Sequence, residues 1–137
     1  MKTITVDAEV FVPMEKVWGA WIRPDDIKSW CFASPEWGVG DVENDVRVGG
    51  KFKTNMHALD KSAGFDFAGV YNEVVPNRLI VYTMDDTRVA TVHFEEIDGG
   101  VRVTETFEME SENSEELQRG GWQSILNNFK KYTEGIK

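Results

Sequence analysis

Glu105 is the residue whose type and setting most invite chemistry in this chain. It lies in VRVTETFEM (101–109), where Val103 and Phe107 alternate with Arg102, Thr104 and Thr106 at the period of a half-buried strand. A turn around Asp98–Gly100 folds this segment onto RVATVHFEEI (88–97), pairing Phe94 with Val103, Val92 with Glu105 and Ala90 with Phe107. Only that reading separates apolar from polar side chains, with Thr91, His93, Thr104 and Thr106 on the other face. Glu105 is thereby placed inward among apolar neighbours. A carboxyl desolvated in this way has a raised pKa, which suits it to proton transfer or to holding the polar group of a ligand; the plainer alternative is that it bonds a sheet edge, a water or an Arg.

Other reactive side chains are less promising. Tyr71 and Glu73 share a parity with Phe65 and Phe67 in FDFAGVYNEV (65–74) and would line the same interior, unless a bulge at Gly69 inverts the assignment. His57 and His93 fall on the outward parity, because Phe52, Met56, Val92 and Phe94 take the inner positions. Neither histidine is then placed for general-base work. Two separated histidines without a cysteine or carboxylate at ligand spacing make no metal pattern. Cys31 is the sole cysteine, which excludes an internal disulfide, and beside Trp30 it reads as packing. No nucleophile elbow, phosphate loop or dinucleotide fingerprint is present. We therefore expect no catalytic residue, no metal and no cofactor.

Charge narrows the partners. Across 137 residues the formal net charge is -9, which repels phosphate backbones and anionic bilayers, so neither nucleic acid nor membrane is expected. The opening MKTITVDAEVF alternates where a leader peptide needs a continuous apolar stretch, and no later run approaches a membrane span. A soluble cytoplasmic protein is the expectation. Five Trp and eight Phe are many large rings for one chain of this size, and they need an interior to occupy.

The elements that must position these residues follow from periodicity. ITVDAEVFV (4–12) alternates as a strand; PMEKVWGAWI (13–22) and PDDIKSWC (24–31) read as two short helices, the second with acidic residues in its first turn. FASPEWGVGD (32–41) has no period and reads as loop. Strands follow at 42–48, 51–58, 65–74, 78–84, 88–97 and 101–109, with a turn at Gly49–Gly50. The closing helix, capped by Asn113 or Ser114, carries an apolar stripe of Leu117, Gly121, Trp122, Ile125, Leu126 and Phe129. Its Gly120 and Gly121 each cost roughly 1 kcal/mol against alanine. Either the backbone approaches a neighbour closely there, or a guest needs the room. With no linker or repeat, residues 1–137 read as one domain.

Strand, two short helices, antiparallel meander and long helix is the order of the helix-grip α+β fold. The blocks EKVWGAWIRPDDIKSW, DVRVGGKF, VYNEVVPNRLIVYT, VTETF and GGWQSILNNFKKY resemble, in that order, bacterial proteins similar to the C-terminal domain of the heat-shock-protein ATPase activator, in the START-like (SRPBCC) superfamily. The resemblance implies a curved sheet of about six strands gripping the last helix over an apolar cavity used for hydrophobic small molecules. The expected walls are Trp30, Phe52, Met56, Phe67, Tyr71, Val81, Phe94, Val103, Trp122 and Phe129, with Glu105 as the polar contact. A non-enzymatic binding protein, monomeric or weakly dimeric, leads this reading. The alternatives are a cyclase-, aromatase- or hydrolase-like enzyme acting through Glu105 or Tyr71, and a co-chaperone partner of a heat-shock ATPase. That last reading rests on the family name alone, and the additional N-terminal domain of full-length activators is not found in the sequence.

Overall fold

A computed structural model describes residues 2–135. The elements are β1 (Thr3–Val10), α1 (Met14–Ile22), α2 (Pro24–Trp30), β2 (Trp37–Asn44), β3 (Lys51–Ala58), β4 (Gly64–Val75), β5 (Leu79–Met84), β6 (Val89–Ile97), β7 (Gly100–Glu108) and α3 (Glu115–Glu134). All ladders are antiparallel, and the sheet order is β1-β7-β6-β5-β4-β3-β2. The sheet has seven strands, one for each strand segment that periodicity marks and close to the six or so that the resemblance implies.

The sheet starts earlier than periodicity suggests. β2 begins at Trp37, inside the segment read as loop, and ends at Asn44, short of the expected residue 48. Gly38 and Gly40 conceal its alternation because they contribute no side chain. At Gly40 a Cβ would crowd the Asn55 side chain of β3, so glycine there is a packing requirement of the strand. Residues 45–50 turn instead: the Asp45 N–H donates to the Lys51 carbonyl, the Arg47 guanidinium bonds Asp45, and Gly49 takes a φ of +82°, open to glycine at little cost.

One face of the sheet is apolar because each strand alternates. In β1, Ile4, Val6, Ala8 and Val10 are buried and their neighbours exposed; in β7, Val101, Val103, Glu105 and Phe107 are buried. The β6–β7 ladder has the anticipated register, Phe94 opposite Val103, Val92 opposite Glu105 and Ala90 opposite Phe107.

The three helices form one layer over that face, anchored at its two edges. α3 lies along β1, where Gln123 Nε2 donates to the Asp7 carbonyl at 3.0 Å and Lys130 Nζ to the Glu9 carbonyl at 2.6 Å. α2 lies along β2 at the opposite edge. The helices are joined by Tyr132 Oη donating to Asp26 at 2.5 Å and Trp30 Nε1 donating to the Ala20 carbonyl at 3.0 Å. The central strands are therefore spanned by side chains rather than by closely packed helix backbone.

Ser114 caps α3, its Oγ accepting from the Leu117 N–H at 3.1 Å. The helix buries Gln118, Leu126, Phe129 and Thr133, while Leu117, expected inside, is 62% exposed. At Gly120 and Gly121 an added Cβ would meet nothing within 4 Å. Close backbone approach is thus not the reason for these glycines; the helix runs there beside open space.

Candidate functional site

Between the helix layer and strands β3–β5 lies a hollow of about 300 Å³. Its floor comes from the inward parity of those strands: Phe52, Thr54 and Met56 on β3, Phe67 and Tyr71 on β4, Ile80 and Tyr82 on β5. Its roof is Trp21 of α1, Ile27 and Trp30 of α2, and Trp122 and Ile125 of α3. The rings brace one another. Phe52 contacts Tyr71 and Tyr82 at centroid distances of 5.2 and 5.0 Å, and Trp122 stacks on Phe107 at 3.8 Å.

Two exposed residues, Phe65 of β4 and Asn113 before α3, also border the hollow and mark where it meets solvent. The segment at this mouth is held by Gln118. Its Nε2 donates to the carbonyls of Glu110 and Asn113 at 3.1 and 2.8 Å, and its Oε1 accepts from the Glu110 N–H at 2.9 Å. Sequence reasoning missed Gln118 because a polar residue beside Leu117 gives no sign that it, not the leucine, turns inward to meet a loop.

Glu105 is the acid of this interior. Only 5% of it is exposed, and it makes no hydrogen bond to another described residue. Burial alone pushes its carboxyl up to about 8, so at neutral pH it carries a proton and presents an O–H. Burial, then Glu105, raises the Tyr82 hydroxyl, and burial, then Glu105, pushes the Cys31 thiol up to about 12. Cys31 is thus an unreactive wall atom. Tyr71 is raised by burial, and its hydroxyl donates to Asn44, whose Nδ2 donates to the Ile22 carbonyl at 2.8 Å. The Tyr71 hydroxyl is therefore already engaged, whereas Glu105 and Tyr82 have no such partner among the described residues.

The expected wall residues divide. Trp30, Phe52, Met56, Phe67, Tyr71, Glu105 and Trp122 border the hollow. Phe94, Val103 and Phe129 do not: Val103 and Phe129 are fully enclosed, with Phe129 wedged against Trp21 and Trp30, and Phe94 packs against Trp18 and Trp21 while bordering a separate recess with Met14 and Arg78. Val81 is on the convex face, opposite Glu73 and Thr91, and Ile80 and Tyr82 hold the inner positions instead. The error arose because Leu79–Met84 is almost continuously apolar and shows no alternation of its own. Its pairing with the correctly phased β6, Tyr82 opposite Ala90, carries the missing signal.

On β4 the parity holds through Tyr71 and then changes. A register shift between Tyr71 and Glu73, at Asn72 and not at Gly69, turns Glu73 outward. Gly69 sits in regular ladder, where a Cβ would strike the Thr83 carbonyl and the Phe52 ring. His57 and His93 lie outside; His57 Nδ1 is 3.2 Å from Asn55 Oδ1. Among the described residues no three His, Cys, Asp or Glu side chains converge as metal ligands, and no helix is long and apolar enough to cross a membrane.

A curled antiparallel sheet, two short helices after the first strand and a long final helix closing over an aromatic hollow define the START-like helix-grip class. The chain belongs to the activator of Hsp90 ATPase homolog 1-like family, whose profile matches residues 12–134. Among solved structures it resembles the AHSA1-like protein of Aeromonas hydrophila, at 41% identity and a TM-score of 0.91, over 97% of this chain and 92% of that one. A Cytophaga hutchinsonii protein is 47% identical with a TM-score of 0.84, over 96% and 92% of the two chains. A Chromobacterium violaceum protein is 25% identical with a TM-score of 0.89, over 99% and 100%. No curated protein matches the chain.

Proposed function

We propose that this protein binds a small, largely apolar molecule in the hollow beneath α3 and acts as a binding protein rather than an enzyme. The observation that carries the reading is the unfilled space itself: about 300 Å³ walled by rings, in a chain whose neighbouring core is packed solid. That volume lies at the lower end of the range for small-molecule sites and is about twice that of a dry cavity able to take one benzene, so a guest of about two rings fits. Most of the lining surface is apolar, and several of the polar side chains around it, Asn44, Tyr71, Arg88 and Gln118, are already engaged by other protein groups, as suits a site that orients an apolar guest.

Titration with 2-(dimethylamino)naphthalene, a neutral fluorescent two-ring amine, tests this. Saturable one-to-one binding is expected, with transfer of excitation from Trp21, Trp30 and Trp122. The variant Thr54→Phe, which places a ring in the hollow, should abolish the signal while keeping the native circular dichroism. An absence of saturable binding, or equal binding by the filled variant, would refute the reading.

A further inference from the structure

We propose that the natural guest is a neutral molecule of about two rings carrying a hydrogen-bond acceptor such as a ketone carbonyl, seated on the O–H of Glu105, and that it is released when Glu105 ionises. This rests on the binding reading above and adds the chemistry of the guest.

Three observations support it. The first is that Glu105 is almost wholly buried, borders the hollow and makes no hydrogen bond to a described residue. Its carboxyl opens on the hollow instead of being sealed in protein, so an arriving acceptor meets an O–H that no protein group uses. The second is that the surroundings keep Glu105 uncharged at neutral pH. The ionisable groups facing it are Cys31 from the end of α2 and Tyr82 from β5, with Tyr71 of β4 next to Tyr82, all held neutral by burial. α3 contributes only Gln118, Trp122 and Ile125, and β3 only Phe52, Thr54 and Met56.

The third concerns charged groups at the margin. Arg88 borders the hollow, but its Nε is bound to Asp86 at 2.7 Å and its Nη1 to the Glu108 carbonyl at 3.1 Å. Glu110 is likewise taken up by the Asn113 N–H and Nδ2 at 2.6 and 3.2 Å. An anionic guest would thus find no cation that lacks a carboxylate partner, since the Arg88 charge is already paired with Asp86. A cationic guest would first have to expel the Glu105 proton. A neutral acceptor needs neither, and the Tyr82 hydroxyl offers a second unengaged O–H in the same chamber.

The test is a calorimetric series on the full chain with four naphthalenes of one shape: 2-acetylnaphthalene, 2-ethylnaphthalene, 2-naphthoate and 2-naphthylmethylammonium. At about pH 6.5 the ketone should bind about tenfold more tightly than the ethyl compound, the worth of one well-placed hydrogen bond. Its affinity should fall about tenfold or more by about pH 9.5, while that of the ethyl compound stays level. Glu105→Gln, whose amide still donates, should keep the ketone preference and lose the pH dependence; Glu105→Leu should lose the preference.

Equal affinities for ketone and hydrocarbon would overturn the inference and leave the binding site standing. So would tighter binding of either ion, or a pH profile that survives in Glu105→Gln. Failure of all four naphthalenes, together with 2-(dimethylamino)naphthalene, would remove the site as well.

Discussion

The two halves of the concave face are both lined mainly by hydrophobic side chains and end in different states. Under α3 and α1, strands β1, β7 and β6 meet the helices through Val10, Val92, Val101, Val103, Leu126 and Phe129, each with no surface left. Toward β3, β4 and β5 the wall residues are larger, yet space remains between them. The contrast follows from where the helices are pinned: α3 to β1 and α2 to β2, with the middle strands beyond close reach of either backbone. Branched aliphatic side chains fill a short gap densely, whereas rings bridging a wide one lean on each other and leave a void. Hydrophobicity does not distinguish core from cavity here; the distance to the opposing layer does.

The sharpest way to break this contrast is to truncate one ring in each half. Phe129→Ala should cost about 3–5 kcal/mol, since a fully enclosed ring leaves a new cavity, while Phe67→Ala, beside an existing void, should cost no more than about 2 kcal/mol. Urea denaturation of both variants measures the difference, and equal costs would mean that the hollow is closed in solution.

Next in size is the pH response. Glu105 titrates near 4.5 in the unfolded chain and near 8 when folded, so between those values the native state holds the extra proton. Stability should then fall as pH rises through that window, by up to about 1.4 kcal/mol per unit, and level off outside it. Glu105→Gln should remove this slope, as read from urea midpoints at several pH values. An unchanged slope would place the carboxyl in water rather than in the hollow.

The smallest expected effect concerns α3. Because a methyl group at Gly121 meets open space, Gly121→Ala should stabilise the protein by about 0.5–1 kcal/mol through helix propensity, seen as a higher melting temperature. Destabilisation would show that the helix packs more closely than its surroundings indicate.

Much of this architecture was legible in the sequence, and the exceptions have physical causes. The β6–β7 hairpin was readable because its two strands test one another: a single register makes both faces consistent, and it carried Glu105 inward. β1 and the two short helices were equally plain. β2 was hidden by Gly38 and Gly40, which have no side chain to betray a face, and Val81 was misassigned within an unbroken apolar run. The inward turn of Gln118 depends on carbonyls of a loop that no local pattern encodes. As for the ring-bearing residues, alternation places them on the inner face but is silent on whether the space between them is filled. Phe94, Val103 and Phe129 read the same as Phe52 and Phe67 and differ only in what stands opposite.

The offset at Asn72 has a consequence for how capacity is set. An extra residue in one strand bends the ribbon and tightens its twist, so the depth of the bowl depends in part on a side chain that faces away from it. Excising Asn72 would restore an even ladder with Phe67, Tyr71 and Val74 still turned toward the interior, but on a flatter base. Chamber size and chamber lining are therefore separable in this scaffold: roominess can be adjusted by chain length on the outside while the upholstery stays as it is.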